Sequence, residues 1–344
     1  MAQLVTATIN QHSCLDLTGV DPGLKQQLRA EASVGGPEDE KPFILSHDKL
    51  YLNRFYHYES DVAALISARN VALGIPDANL LATKLEQHFG DAEHNRQKLA
   101  AFLAITRKLA VITGGPGTGK TSTVVKILDI LLEESPDLTI KLVAPTGKAA
   151  MRLSDSISEW AATREKKFQV QTLHRLLGMR KDGRTWRHGP QNQLKVDLLI
   201  VDEASMIDLT MMHRLLGALP DHTRLILLGD PNQLPSVDTG NVLADLCAGE
   251  TGFSDTFGEL ASNFVGEVQI VKSPHHLTDA VCELDKSYRF DPDSGIAALS
   301  KAVQSGQSAP SLQDNSVVFS AGSGGPLVHQ MLGHWKDYID LLEG

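Results

Sequence analysis

A doubly wound, parallel α/β domain is what this sequence predicts, on two observations. From about residue 93 short apolar runs alternate with helical patterns, and a glycine-rich segment joins the first run to the helix after it. The runs are "LAVIT" (109–113), "TIKLVAP" (139–145), "VDLLIVDEA" (196–204) and "RLILLGD" (224–230), each with four to six apolar residues bounded by polar residues, Gly or Pro. Runs of that kind suit the central strands of a parallel sheet covered on both faces. Between them, "TSTVVKILDILLEE" (121–134), the segment from Lys148 to Trp160, and "LTMMHRLLGAL" (209–219) read as helices.

Residues 1–92 carry none of this alternation and read as a separate small helical domain, with a loop at "ASVGGPEDEKP" (32–42) where Gly, Pro and acids cluster. Within it, "KLYLNRFYHYESDVAALI" (49–66) places Leu50, Leu52, Phe55, Tyr56 and Tyr58 in one helix-sized window, the pattern of core packing. The sharper alternative is a face for a partner. Residues 93–285 form the predicted RecA-like domain, and 286–344 the start of a further one, with "SAGSGGP" (320–326) as a flexible connection.

Composition narrows the class. With 344 residues and 42% apolar content the chain can bury a sizeable core, and its length suggests two or three domains. No apolar run approaches the roughly 18 residues that span a membrane, and "MAQLVTATINQHS" lacks the basic and apolar regions of a signal peptide. A cytoplasmic protein is therefore expected. Cys14, Cys247 and Cys282 lie far apart without a C-x-x-C pair, so they read as small buried apolar residues. The net charge of −10 argues against a surface that coats nucleic acid as a whole, but a local groove is compatible with it. From Arg164 to Lys195 nine Lys or Arg stand against two acids, a local balance of +7.

The chemistry begins at "VITGGPGTGKTST" (111–123). Glycine buries no side chain and costs backbone entropy when ordered, so this density of glycine answers a need for bare backbone. The spacing G-x-x-x-x-G-K-[ST] from Gly114 to Thr121 is that of a phosphate loop. In such a loop the backbone from Gly115 through Pro116, Gly117, Thr118 and Gly119 wraps the α- and β-phosphates of ATP. Lys120 then reaches the β- and γ-phosphates, Thr121 holds Mg²⁺, and the phosphates sit on a helix N-terminus.

A second signal is "LLIVDEAS", which puts Asp202 and Glu203 at the carboxyl end of a buried strand, where open α/β sheets bind ligands. Two adjacent carboxylates there would be costly unless a cation or a water used them. Asp202 is expected to hold magnesium, and Glu203 to orient and deprotonate the attacking water. "LLGDPNQLPSV" (227–237) repeats the logic, and the neutral, bidentate Gln233 can sense a γ-phosphate and lose that contact after hydrolysis.

Together "GGPGTGKT", "APTGKAA" (144–150), "TLHRLLG" (172–178), "VDEASMID" (201–208), "GDPNQLPSV" (229–237) and "SYRF" (287–290) stand in the order and approximate spacing of superfamily 1 DNA helicases. The set most resembles the RecD family, the alpha chain of exodeoxyribonuclease V. The likeness runs over roughly residues 93–291. It implies that Pro145, Thr146, Lys148, Thr172 and His174 face single-stranded DNA, a grip of hydroxyls, lysine and ring that needs no sequence reading. It also implies that Gln97 reads the adenine edge, that Tyr288 stacks on the adenine, and that Arg289 brings positive charge to the γ-phosphate. An ATP-dependent helicase subunit follows, acting on single-stranded and duplex DNA in break repair and recombination. The resemblance further implies 5′-to-3′ movement and a heterotrimer with two larger chains.

The sequence departs from the family's pattern at one end. Nothing in residues 290–344 resembles the later motifs that complete a second motor half. Either the chain is a fragment of a longer product or it has lost its motor function. Alternatives to the helicase reading are a DNA-dependent translocase without unwinding, since only "RKDGRTWRHGP" (180–190) offers a strand-splitting hairpin, and a docking subunit held through residues 1–92. The tail "HWKDYIDLLEG" (334–344) has the pattern of an apolar-faced helix.

Overall fold

The computed structural model describes residues 2–75, 77–90, 95–164, 168–249, 251–273, 275, 277–288 and 294–304. The chain divides into two compact units, Met1–Lys286 and Ser287–Gly344. The second contributes one described helix, Gly295–Gln304.

The first unit opens with α1 (Ala2–Ile9), β1 (Cys14–Asp16), α2 (Pro22–Ala30), β2 (Val34–Gly35), β3 (Phe43–Ser46) and β4 (Lys49–Leu52), followed by α3 (Asn53–Arg69) and α4 (Ala78–Phe89). β1 to β4 form a four-stranded sheet in the order β1-β4-β3-β2. This corrects the expectation of a purely helical N-terminal segment. The apolar window at 49–66 straddles a boundary: Lys49–Leu52 pairs with Phe43–Ser46 as a hairpin, and the helix begins only at Asn53. Leu50 packs in a small core with Leu4, Leu17 and Val34.

The segment is also not separate. Phe55, Val62 and Ile66 of α3 are buried in the same cluster as Leu199, Val201, Leu225 and Leu227 of the main sheet, so α3 serves as one of its covering helices. Arg69, 2% exposed, fixes the end of that helix by donating from its guanidinium to the Leu219 carbonyl at 2.9 Å.

The main body continues with α5 (Arg96–Thr106), β5 (Leu109–Gly114), α6 (Lys120–Glu134), β6 (Ile140–Ala144), α7 (Gly147–Thr163), β7 (Val170–Thr172), α8 (Leu173–Leu177), β8 (Leu198–Val201), α9 (Leu209–Ala218), β9 (Arg224–Gly229), α10 (Val242–Leu246), α11 (Asp255–Val265) and β10 (Val281–Leu284). The six strands form one parallel sheet in the order β10-β5-β9-β8-β6-β7. The predicted doubly wound α/β architecture is therefore the observed one. Alternate strand residues divide between its two faces. Ala110, Ile112, Leu142, Ile200 and Ile226 pack beneath α5, α6, α7 and α11, while Val111, Val143, Val201 and Leu227 pack beneath α3, α8 and α9.

Helix starts are set locally. Asn95, Thr146, Thr172, Asp208 and Ser254 each cap a helix by accepting a backbone N–H with the side chain, whereas α6 begins after Gly119 with no side-chain cap. Of the cysteines, Cys282 is buried as expected, with its thiol pushed up to about 12 by that burial. Cys14 and Cys247 are only half-buried, because each stands at the margin of its element. Among the described residues no helix is long and apolar enough to cross a membrane.

Because Ile66 is 1% exposed and belongs to the sheet's own core, Ile66→Ala is expected to destabilise the sheet unit by about 2–5 kcal/mol in urea unfolding. A sheet that unfolds as before would mean that α3 stands apart from it.

Candidate nucleotide site and nucleic-acid interface

Parallel pairing sets where the chemistry gathers. Gly114 lies opposite Leu284, Thr113 opposite Gly229, and Val201 opposite Leu227, so β10, β5, β9 and β8 all end at one edge of the sheet. The loops from that edge carry Gly115–Gly119, Asp202 and Glu203, and Asp230–Gln233. β6 and β7 end at the same edge with Ala144 beside Thr172, which places Pro145, Thr146 and Lys148 next to Thr172 and His174.

The glycine loop is shaped by close approaches. Gly114 has φ +149°, and a Cβ there would lie 2.6 Å from the Leu284 carbonyl oxygen and 2.8 Å from Thr118 Oγ1. Gly119 has φ +83° and hands the chain directly into α6. Thr118 is buried, with its hydroxyl donating to the Gly115 carbonyl at 2.9 Å. Lys120 curls back over the loop, its ammonium donating to the carbonyls of Gly114 and Gly115. No side chain caps α6, which starts directly after the loop. The residues present thus fit a phosphate tail: bare backbone, an open helix N-terminus and one cation.

Gln97, expected at the adenine edge, lies against this loop and donates from Nε2 to the Thr118 carbonyl at 3.1 Å. It is a half-buried residue of α5.

Asp202 and Glu203 leave β8 in a strained turn. Glu203 occupies the left-handed region at φ 52° and ψ 42°, a conformation that costs a residue with a Cβ about 1–2 kcal/mol. Its N–H donates to Asp202 Oδ1 at 2.9 Å. Burial pushes the Asp202 carboxyl above the ordinary carboxylate range; the Glu203 N–H pulls it back down, the Glu203 charge adds to the rise, and the charge of Lys120 opposes it. A carboxylate that pays for burial beside an ammonium fits a cation. Among the described residues no three His, Cys, Asp or Glu gather as a metal cage, so a cation here would complete its shell with hydroxyl, water and phosphate oxygens.

Gln233 stands on an exposed loop tied down by Asp230, a 3%-exposed residue that the sequence reading passed over. The Asp230 carboxylate accepts from the Asn232 N–H at 3.0 Å, and its backbone carbonyl accepts from the Gln233 N–H at 3.1 Å. The signal for it was present, an acid immediately after the apolar run "LILLG". Tyr288 belongs to the second unit, and Arg289 lies outside the described residues.

Thr146 and Thr172 prove to be helix caps, accepting from the N–H groups of Ala149 at 3.2 Å and Arg175 at 3.3 Å. Capping uses a lone pair and leaves the hydroxyl hydrogen free to donate outward. Lys148 and His174 are exposed beside them, and the His174 ring lies 5.7 Å from that of Trp186. Trp186 closes the turn at 180–190: Arg180 donates its N–H to the Thr185 carbonyl, Met179 bridges Trp186, and Gly183 takes φ +65°. Hydrogen bonds from Thr185 and Arg184 hold the Asp182 carboxyl at about 2.

Residues 97–239 match the family model of an AAA domain. The RecBCD enzyme subunit RecD of Haemophilus influenzae is 42% identical over 248 residues, covering 67% of this chain and 39% of that protein. Over this stretch the chain is similar to RecD. The RecBCD enzyme subunit RecD of Buchnera aphidicola subsp. Acyrthosiphon pisum is 32% identical over 307 residues, covering 85% of this chain and 51% of that protein. The ATP-dependent RecD2 DNA helicase of Deinococcus radiodurans is 45% identical over 237 residues, covering 65% and 30%. The chain thus spans about half, or less, of the length of these relatives.

The contact at Gly114 gives a direct test. Gly114→Ala is expected to cost about 1–3 kcal/mol of stability and to weaken binding of a fluorescent ATP analogue at least tenfold. Unaltered binding would show that the loop does not need this approach to β10.

Proposed function

We propose that this chain is the nucleotide-hydrolysing half of a RecD-type DNA helicase subunit, driven by ATP with Mg²⁺, moving 5′ to 3′ and working with two larger chains. The observation that carries the proposal is the shared sheet edge. It brings Lys120 within electrostatic reach of Asp202 and sets the Thr146 and Thr172 turns on neighbouring strands of the same edge.

In this reading the loop from Gly115 to Gly119 binds the phosphates through backbone N–H groups, and Lys120 leaves the loop carbonyls to bind the β- and γ-phosphate oxygens. Thr121 and Asp202 would hold the metal, which when bound would offset negative charge on the phosphates. Glu203 accepts a proton from the water that attacks the γ-phosphorus, while the bond from that phosphorus to the β,γ-bridging oxygen breaks and ADP leaves. Gln233, held by Asp230, senses the γ-phosphate and relays its loss to the loop. Gln97, which bonds to the loop, pairs with the base in this reading. Thr146, Lys148, Thr172 and His174 grip a single strand through its phosphates and bases. The turn at 180–190, closed by Trp186, is the proposed wedge that parts the duplex.

Two substitutions separate binding from chemistry. Lys120→Gln is expected to weaken ATP binding and to lower turnover by about 10²-fold or more, whereas Glu203→Gln keeps ATP bound and stops hydrolysis. Equal loss of affinity in both would misplace the base. Deleting residues 182–188 is expected to abolish strand separation and spare ATP turnover in coupled assays; loss of both would remove the turn from the wedge role.

A further inference from the structure

A groove of about 500 Å³ lies on the flank of β7, between α8 and the turn at 187–195. Four cations line it, Lys141, Arg175, Arg187 and Lys195, and no acid does. Three belong to the basic stretch of the sequence; Lys141 arrives from β6 and joins them only through the fold. Lys141 precedes Pro145 by four residues, about 13 Å back along an extended strand, so the groove is set off from the sheet edge.

Several cations elsewhere in the chain are paired, Lys84 with Glu133, Lys98 with Glu86 and Arg164 with Asp129. Among the described residues no ion pair involves any of the four. Lys141 is half-buried on β6, opposite Leu199 of β8 and on the same sheet face as Val143 and its partner Gln171.

The walls are fixed. Gly178 has φ +69°, and a Cβ there would lie 2.7 Å from that of Arg187. Asn192 Nδ2 donates to the Arg187 carbonyl at 2.7 Å, and Gln193 Nε2 to the Leu219 carbonyl at 3.2 Å. The apolar lining, Leu176 and Leu194, is buried. What the groove presents is four cations and neutral amides beside two buried leucines.

We propose that this groove is a phosphodiester subsite for a nucleic-acid strand, separate from the contacts expected at residues 145–148 and 172–174. Long, exposed cations without a tight nest of backbone N–H groups suit a polyanion that passes through in any sequence. The proposal rests on the reading that the chain binds DNA.

The test uses the full chain and a fluorescent single-stranded oligonucleotide, with affinity measured by anisotropy from about 50 to 300 mM salt. The double variant Arg187→Gln/Lys195→Gln is expected to flatten the slope of log K against log salt by about 1.4, two phosphate contacts at about 0.7 each, while binding of a fluorescent ATP analogue stays the same. Arg187→Lys/Lys195→Arg is expected to restore the slope. An unchanged slope in the double variant, with the original chain still binding DNA, overturns this subsite and leaves the helicase reading standing. No DNA binding by the original chain overturns both. Calorimetric binding of inorganic phosphate at fixed ionic strength, lost in the double variant, would assign the groove to free phosphate instead. Polyglutamate that binds as well as the oligonucleotide at matched charge would assign it to an acidic protein.

Discussion

Everything functional in this chain depends on β5 being clamped between two parallel neighbours. β10 pairs on one side and β9 on the other, so the strand can stop at Gly114 only where Leu284 and Gly229 also stop. The glycine at that point lets the chain pass within contact distance of the Leu284 carbonyl and open into a loop that ends on the uncapped start of α6. β8 pairs with β9 in the same register, which delivers Asp202 and Glu203 to the edge where Lys120 waits. One stacking constraint therefore produces the open helix N-terminus, the cation and the paired acids together.

The apolar cores follow the same logic. Strand residues alternate between two clusters, and each cluster needs helices over it. On one face these are the helices of the α/β alternation itself. On the other face α3, from the N-terminal segment, covers sheet residues that would otherwise meet water. The N-terminal segment also reaches the loop of Gln233: the Gly240 N–H donates to the Gln11 carbonyl at 2.9 Å. Residues 1–92 are thus part of what shapes the site's surroundings.

How much of this could be read in advance depends on element length. The runs at 109–113, 139–145, 196–204 and 224–230 gave strands where strands are found, because long apolar runs bounded by breakers leave few other readings. β2, β3 and β4 have two to four residues each, too few for period two to separate from a helical face, which is why Leu50 and Phe55 read as one helix. β7 and β10 were hidden for the same reason, Glu283 breaking the apolar run of the latter. At the candidate site the loop and the acid pair were legible from spacing alone. The acid at Asp230 was visible after the apolar run, but its work of holding a backbone was not, and neither was the convergence of Lys141 with Arg187, residues far apart in the chain. Thr146 and Thr172 show a further limit, because the same hydroxyl that caps a helix can face a strand of DNA.

The reading stands on coupling between the nucleotide loop and the strand-facing turns at one sheet edge. The measurement that tests it most directly is the rate of ATP hydrolysis by the chain with and without single-stranded DNA at one moderate salt concentration, with Lys120→Gln as the blank. Stimulation by DNA that vanishes in the blank is the predicted result. ATP that binds and turns over at one rate, whatever DNA is added, would contradict it.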